Sequence, residues 1–350
     1  MTDLETAVPV GVVANPVSAH DIRRITANAG SLQIADRANI VLRVLAGLAA
    51  SGVSTVLVMP DRKGITSLLE RNLARERNLG RSLPEVRILD MAVTTSVDDT
   101  LRATAAMVDA GVAAIVVLGG DGTHRAVVRH CGKVPLAGLS TGTNNTFPEM
   151  REPTITGLAT GLYASGAVSA DEALLPNKVL EVQVNDGERS DLALVDVVVS
   201  TERFVGAKAL WRTDHLHELF VTFADPEAIG MSAVAGMVRP VGRRDPHGLR
   251  LRLAPGAAPT VRAAIAPGLI EPVAVAAVEP LRPDETVTVA HRGGVVALDG
   301  ERELELRSGD RLTVTLRCDA FRSIDVPRCM RAAADRGLFH HHDQERGTNG

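Results

Sequence analysis

The stretch that most constrains this chain is Val112–Pro148, VAAIVVLGGDGTHRAVVRHCGKVPLAGLSTGTNNTFP. Val112 to Leu118 is a short apolar run of the kind that forms a strand buried on both faces. It breaks at once into Gly119-Gly120-Asp121-Gly122-Thr123. The spacing predicts a short amphipathic helix over His124–Cys131, stopped by Gly132. A second strand over Val134–Leu139 then runs into Ser140-Thr141-Gly142-Thr143-Asn144-Asn145. Two strands thereby deliver two Gly/Thr/Asn loops to one edge of a parallel sheet, and the carboxyl edge is where open α/β sheets bind ligands.

Glycines suit such loops because they reach positive φ and let a ligand approach without a Cβ in the way. The first amides of the following helix lack intrahelical partners and carry the positive end of its dipole, so they suit a phosphate. Asp121 is a carboxylate in that turn. Beside phosphate it would be repelled unless it holds Mg²⁺ or takes a proton from an attacking hydroxyl. The alternative is that Asp121 caps the helix and the glycines only make a tight βα turn. The stretch is not a Walker A loop, since Val134 follows Gly132-Lys133 where a hydroxyl residue is required, and not a dinucleotide fingerprint, since Arg125 stands where the third glycine should be.

The chain has 350 residues, room for one large or two ordinary domains. Hydrophobic residues make up 45% but aromatics only 2%, so the core must be built from Ala, Val, Leu and Ile. The net charge of −4 gives no global electrostatic reason to expect nucleic acid. Basic pairs such as Arg23-Arg24 and Arg243-Arg244 read as anion contacts or solvated faces. No apolar run approaches the ~20 residues of a membrane span, and the start, MTDLETAV, lacks the pattern of a signal peptide. Cys131, Cys318 and Cys329 are odd in number without CxxC spacing and read as reduced thiols. The expectation is a cytoplasmic protein.

Read in order, Val8–Ala14 is a first strand ending at Asn15-Pro16. The loop that follows, with Asn15, Ser18, Arg23 and Arg24, can be a phosphate contact or an ordinary capped turn. A helix is predicted over Ala35–Ala50, a strand over Val53–Met59, a helix through Ile65, Leu69 and Leu73, a strand over Val86–Leu89, and a helix from Ser96 or Asp98 to Gly111. This alternation argues a doubly wound parallel sheet over 1–150. A small-residue helix in 151–173 reads as a hinge. From 174 to 320 the pattern has period two, with predicted strands over Lys178–Val184, Leu192–Ser200, Thr286–Ala290, Val295–Leu298, Glu303–Leu306 and Leu312–Leu316. Ala228–Met237 interrupts them, helical or glycine-rich and facing the cleft. Residues 321–350 are read as a terminal helix from Pro327 to Ala334 and a polar tail. The fold class is therefore α/β: a parallel-sheet domain followed by a β-rich, sandwich-like domain.

Gly119-Gly120-Asp121-Gly122-Thr123 resembles the signature of the superfamily that joins NAD kinases, bacterial diacylglycerol-type lipid kinases and sphingosine kinases, and the order of the two halves is similar across the whole chain. Several stretches look most like the acetoin-catabolism X family, an NAD-kinase-like branch: Asn15-Pro16 with Asp21-Ile22-Arg23-Arg24, Thr141-Gly142-Thr143-Asn144-Asn145 with Phe147-Pro148, Val205-Gly206-Ala207-Lys208-Ala209-Leu210-Trp211, and Ile229-Gly230-Met231-Ser232-Ala233-Val234-Ala235-Gly236. The NAD-kinase resemblance implies that Asp121 is general base at the adenosine 2′-hydroxyl and that Gly119, Gly120, Gly122 and Thr123 bind phosphates. The Asn-Glu or Asn-Asp pair of that family falls on Val195-Asp196 here, without its asparagine, and the adenine motif is reduced to Gly230 and Ser232. The acceptor pocket would then rest on Asp196, Gly230 and Ser232. The lipid-kinase resemblance works differently. Thr141–Asn145 resembles that family's Gly-Thr-x-Asn-Asp loop and Asp299-Gly300-Glu301 its Asp-Gly-Glu motif, which implies Asp299 as base. By itself, Asp299-Gly300 also reads as a plain hairpin turn.

The resemblance implies a phosphotransferase with ATP or polyphosphate as donor, Mg²⁺ as counter-charge and a hydroxyl of NAD or a related nucleotide as acceptor. Phosphate contacts would come from Asn15, Arg24, Gly119, Gly120, Gly122, Thr123, Thr141, Gly142, Thr143, Asn144 and Asn145. Alternatives are a lipid or small-polyol kinase and a non-catalytic nucleotide-binding protein linked to acetoin catabolism. Scarce aromatics and the lack of a basic amphipathic helix speak against membrane docking. Small nucleotides, neither nucleic acid nor membrane, are the expected partners. The long alternating strands need covered edges, so a homo-oligomer is expected.

Overall fold

The computed structural model describes residues 8–16, 32–142, 145–201 and 213–340, apart from the side chain of Arg302. Arg24, Thr143, Asn144 and the stretch 205–211 lie outside these residues.

Five short segments, β1 (Val10–Ala14), β2 (Thr55–Val58), β3 (Glu85–Ile88), β4 (Ile115–Gly119) and β5 (Leu136–Ser140), pair in parallel in the order β3-β2-β1-β4-β5. The apolar runs of β1 and β4 are buried along their whole length. Helices α1 (Ile34–Ala50) and α2 (Ile65–Asn78) share a core with one face of the sheet. Helices α3 (Val97–Asp109) and α4 (Asp121–Val128) share one with the other face. Such two-sided cover is what a parallel sheet requires. The strand order reverses between β1 and β4, so the crevice at their carboxyl ends lies beside Asn15 and Gly119.

Helix α5 (Pro153–Ala164) stands in the stretch 151–173 that the sequence suggests as a helical hinge. It lies against α1 so closely that a Cβ at Gly157 would sit 2.3 Å from the Val44 carbonyl oxygen, and one at Gly47 would sit 2.3 Å from that of Thr154. Its small residues serve backbone-to-backbone packing. The short α6 (Ala170–Ala173) leads into the strand-rich half.

Part of that half continues the parallel sheet. Strand β6 (Leu174–Val184) pairs with β7 (Arg189–Ala193) and, over its whole length, with the long β16 (Leu312–Ile324), which also carries β13 (Thr286–Val289). Strand β16 in turn meets β5 in parallel at Ser323 and Leu136. The described residues therefore form one nine-stranded sheet running from the parallel half into the antiparallel one. A seven-stranded sheet, in the order β11-β12-β10-β9-β8-β14-β15, is built from β8 (Asp196–Ser200), β9 (Leu216–Val221), β10 (Gly248–Leu253), β11 (Thr260–Ala266), β12 (Leu269–Leu281), β14 (Gly294–Leu298) and β15 (Glu301–Leu306). Leu180, Val182, Val314 and Leu316 of the first sheet join Val197, Val199, Phe220 and Val296 of the second in one core, as in a sandwich. Helix α7 (Met231–Val238) packs on the second sheet. Helix α8 (Val326–Asp335) returns Val326, Cys329 and Ala333 to the core of α1 and α5. The chain is thus α/β, with an N-terminal parallel sheet and a strand-rich C-terminal half, as the sequence predicts. Among the described residues, no helix is long and apolar enough to cross a membrane.

The predicted strand Leu192–Ser200 needs correction. It is two strands in two sheets, β7 and β8, and the chain crosses between them at Leu194-Val195. Apolar side chains are needed on both sides of the crossing, so the run reads as continuous.

Candidate functional site

The helix after β4 starts earlier than its sequence suggests. Its N-cap is Gly120, and Asp121, Gly122 and Thr123 form its first turn. Close approach bears on two glycines. A Cβ on Gly119 would meet the Thr123 side chain at 2.5 Å, and one on Gly120 would meet Oδ1 of Asn145 at 2.5 Å. The second contact joins the two loops. Gly119 and Ser140, the last residues of β4 and β5, are register partners, so the loops leave the sheet side by side.

The second loop is tied inward. Asn145 Nδ2 donates to Ser140 Oγ at 2.8 Å and to the Gly142 carbonyl at 3.3 Å, and Ser140 Oγ donates to the same carbonyl at 2.9 Å. The Thr141 amide donates to the Gly119 carbonyl at 3.4 Å. The Asp121 carboxylate, nearly buried, then receives the amides that follow: Phe147 N donates to Oδ1 at 2.8 Å, and Thr146 N reaches Oδ1 at 3.2 Å and Oδ2 at 3.0 Å. Arg243, from the strand-rich half, donates to the carbonyls of the same two residues, Nη2 to Thr146 at 2.6 Å and Nη1 to Phe147 at 3.0 Å. Its guanidinium lies over the Phe223 ring, 4.2 Å from the centroid. Burial lowers the pKa of Arg243, while the carboxylates of Glu149, Asp121 and Asp225 oppose that. Thr146 Oγ1 donates to the Ile229 carbonyl at 2.9 Å, which brings the Ile229-Gly230 turn to the same loop.

On the other side of α4 stands the β14–β15 hairpin. Asp299 and Gly300 both have positive φ, 51° and 78°, the geometry of a two-residue hairpin turn. Asp299 does more than turn the chain. Its carboxylate accepts the amides of Leu194 at 3.0 Å, Val195 at 2.8 Å and Asp196 at 3.3 Å, where the chain crosses between sheets. Burial raises its pKa, while Arg125 and the three amides pull the other way. Arg125 donates to the Leu298 carbonyl at 3.0 Å and to Glu303 at 2.7 Å, and Arg129, one turn on, pairs with Asp191. Helix α4 is therefore fastened to the strand-rich half along its length. The Glu301 carboxylate comes within 3.7 Å of where a Cβ on Gly122 would stand.

Beneath the loops, His124 is fully buried. Nδ1 lies 2.9 Å from the Gly120 carbonyl, so that nitrogen carries the proton, and Nε2 faces Gly138. Burial lowers the His124 pKa to about 4. The imidazole is neutral at pH 7, and it tilts against Phe147 with centroids 5.7 Å apart.

Gly119, Gly120, Asp121, Gly122, Thr123, Thr141, Gly142 and Asn145 thus come together, and Asn15 lies at the adjoining switch point. The Asn15 side chain donates to Thr100 Oγ1 at 2.8 Å and to the Ser96 carbonyl at 3.3 Å, which ties β1 to the start of α3. Asp196 opens β8 beside Asp299 and accepts the Asp299 amide at its carbonyl, at 2.9 Å. Gly230, with φ 87°, caps α7. Ser232 is withdrawn from any surface; its hydroxyl donates to the Phe223 carbonyl at 2.9 Å and accepts the Asp225 amide at 3.3 Å. Sequence reasoning missed Thr146 and Arg125, and it read Arg243 as an anion contact or a solvated residue. Arg243 instead binds backbone, and nothing local in the sequence marks that. Among the described residues, no group of three His, Cys, Asp or Glu side chains could hold a metal. Mg²⁺ is commonly held by one or two carboxylates together with phosphates and water, so Asp121 fits a phosphate-borne ion and not a protein cage.

Residues 10–168 match the family model of the ATP-NAD kinase N-terminal domain. Residues 178–319 match that of the acetoin catabolism protein X C-terminal domain. The acetoin catabolism protein X of Cupriavidus necator is 59% identical over 340 residues, covering 96% of this chain and 95% of that protein. The crystal structure of yeast NADH kinase complexed with NADH aligns over 97% of this chain and 90% of that one, with a TM-score of 0.49 and 12% identity.

Proposed function

The chain belongs to the acetoin catabolism protein X family, and from that premise we propose that it is a kinase-type phosphotransferase whose acceptor is a hydroxyl of NAD or a related nucleotide-like molecule. One observation carries the reading. Asp121, at the head of α4, receives the amides of Thr146 and Phe147 just after the second loop, which leaves the sheet beside the first at its carboxyl edge. A parallel sheet presents ligand sites at that edge, and a helix N-terminus suits phosphate.

In this reading the donor, ATP or polyphosphate, lays its phosphates against Gly119–Thr123. Phosphates there meet the carboxylates of Asp121 and Glu301, which calls for a cation; Mg²⁺, when bound, supplies that counter-charge. Oδ1 of Asp121 takes two backbone amides and Oδ2 one. The Asp121 carboxylate takes the proton of the attacking hydroxyl as the hydroxyl oxygen bonds to phosphorus and the bridging oxygen leaves. Phosphoryl transfer asks for positioning and charge neutralisation more than covalent chemistry, which such a site can provide. The partners are small nucleotides, and the protein works in the cytoplasm as a homo-oligomer.

The test is direct. Purified protein is given Mg²⁺-ATP or polyphosphate with NAD, NADH, diacylglycerol or acetoin in turn, and products are scored by phosphorus NMR. A phosphorylated nucleotide is expected. A phosphorylated lipid would move the reading to a lipid kinase. Nucleotide binding without transfer to any acceptor would replace it with a nucleotide-binding protein linked to acetoin catabolism.

A further inference from the structure

Asp121 and Arg243 bind opposite ends of one peptide group. The carbonyl of Thr146 and the amide of Phe147 belong to the same peptide plane, and in a trans peptide they point in opposite directions. Arg243 Nη2 donates to that carbonyl at 2.6 Å, and that amide donates to Asp121 Oδ1 at 2.8 Å. A cation at the carbonyl end and an anion at the amide end polarise the same group in the same sense, which strengthens both bonds. Nη1 of Arg243 adds the next carbonyl, that of Phe147, at 3.0 Å.

Arg243 is itself held from behind. It sits in the loop between α7 and β10, and three carbonyls of that loop are taken by one ammonium: Lys178 Nζ donates to Gly242 at 3.2 Å, Asp245 at 2.8 Å and His247 at 2.8 Å. Lys178 belongs to β6 and is nearly buried. Lys178, Arg243, Phe147, Leu194, Thr222 and Phe223 line a partly open cleft of only about 10 Å³. The charged and titratable groups around this unit are Asp121, Glu149, Arg151 and Asp225 near Arg243, and the Asp245 carboxylate and the Cys318 thiol near Lys178.

We propose that Arg243 is a positioning residue for Asp121: through the Thr146–Phe147 peptide, on an anchor provided by Lys178, the strand-rich half fixes the orientation of the carboxylate that the parallel half contributes. Arg243 does not touch the reacting atoms in this scheme. It decides where the Asp121 carboxylate points, and it makes that orientation depend on the two halves staying docked. The proposal rests on the reading of Asp121 as the working carboxylate, but the contact chain can be measured without any substrate.

The experiment is amide hydrogen exchange, followed by NMR on the full chain. In the unmodified protein the Thr146 and Phe147 amides should be protected. Arg243→Ala should speed their exchange about tenfold or more, the equivalent of ~1.4 kcal/mol, while amides of β1 and β4 keep their rates. Arg243→Lys keeps the charge but loses the fork, and should fall between. Lys178→Met should act in the same direction and serves in place of Arg243→Ala if that variant does not fold. Arg244→Ala, which removes only the neighbouring pair with Asp325, should change nothing at these amides. If the protein transfers phosphate, Arg243→Ala should lower kcat with little change in donor KM, and added guanidinium should restore part of the loss. Unchanged exchange at Thr146 and Phe147 in both Arg243→Ala and Lys178→Met overturns the proposal. A protein that transfers no phosphate but shows the exchange pattern contradicts the kinase reading and leaves the contact chain standing.

Discussion

The Asp299 carboxylate accepts the Val195 amide at 2.8 Å, at the point where the chain leaves one sheet for the other. A strand that changes sheets loses its ladder partners for a few residues, and buried amides without partners are costly. Asp299 supplies acceptors for three of them in a row. Asp299→Asn replaces one acceptor oxygen by a donor facing those amides. We expect a loss of roughly 2–4 kcal/mol, the range for spoiling a buried charge-assisted contact. Urea unfolding measures it. A loss below about 0.5 kcal/mol, as at an ordinary surface site, would show that the crossing is held by something else.

Gly120 tests whether the two loops depend on each other. Its φ of −97° is open to any residue, so a substitution there meets only the obstruction by Asn145 at 2.5 Å. Gly120→Ala should cost about 1–3 kcal/mol through overpacking. Asn145→Ala should relieve part of that cost, which a double-mutant cycle by thermal unfolding would read. Strictly additive effects would mean that the loops do not press on each other.

A pH effect follows from His124, whose pKa in the folded protein is about 4 against an ordinary value of 6.5 because it is buried. The unfolded chain therefore binds a proton between these values while the folded protein does not, and stability falls as the pH drops from 6.5 towards 4. Lowering it from 6.5 to about 4 corresponds to roughly 3 kcal/mol across that window. His124→Gln removes the titration and should flatten this limb of stability against pH, leaving the behaviour above pH 7 unchanged. An unaltered limb would place the acid sensitivity on other groups.

The parallel half was legible because its logic is local. Val112–Leu118 and Val134–Leu139 are short apolar runs followed at once by glycine loops, and such runs on both sides of an alternating helix pattern leave few topologies open. Asp121 was legible for the same reason, since it lies inside the loop it serves. Its partners were not. Thr146 and Phe147 meet Asp121 through backbone amides, which any residue possesses, and Arg243 meets carbonyls some hundred positions away in sequence. The break at Leu194-Val195 was hidden because β7 and β8 continue the same strand-like sequence, and only the distant Asp299 marks it. The pairing of β16 with β5, which carries the parallel sheet on into the strand-rich half, likewise rests on contacts almost two hundred residues apart.

The central claim is that Asp121, and not Asp299, is the carboxylate that serves the acceptor. It is tested most directly by phosphoryl-transfer rates of Asp121→Asn and Asp299→Asn, each scaled to the folded fraction, with nucleotide binding measured in parallel. Asparagine at 121 keeps an oxygen for the Phe147 amide but cannot take a proton, and a general base is typically worth ~10²–10⁴-fold. The account predicts a loss of that size in Asp121→Asn with nucleotide binding nearly intact, and a turnover within about tenfold, or ~1.4 kcal/mol, in folded Asp299→Asn. Full turnover in Asp121→Asn together with its loss in folded Asp299→Asn would contradict it.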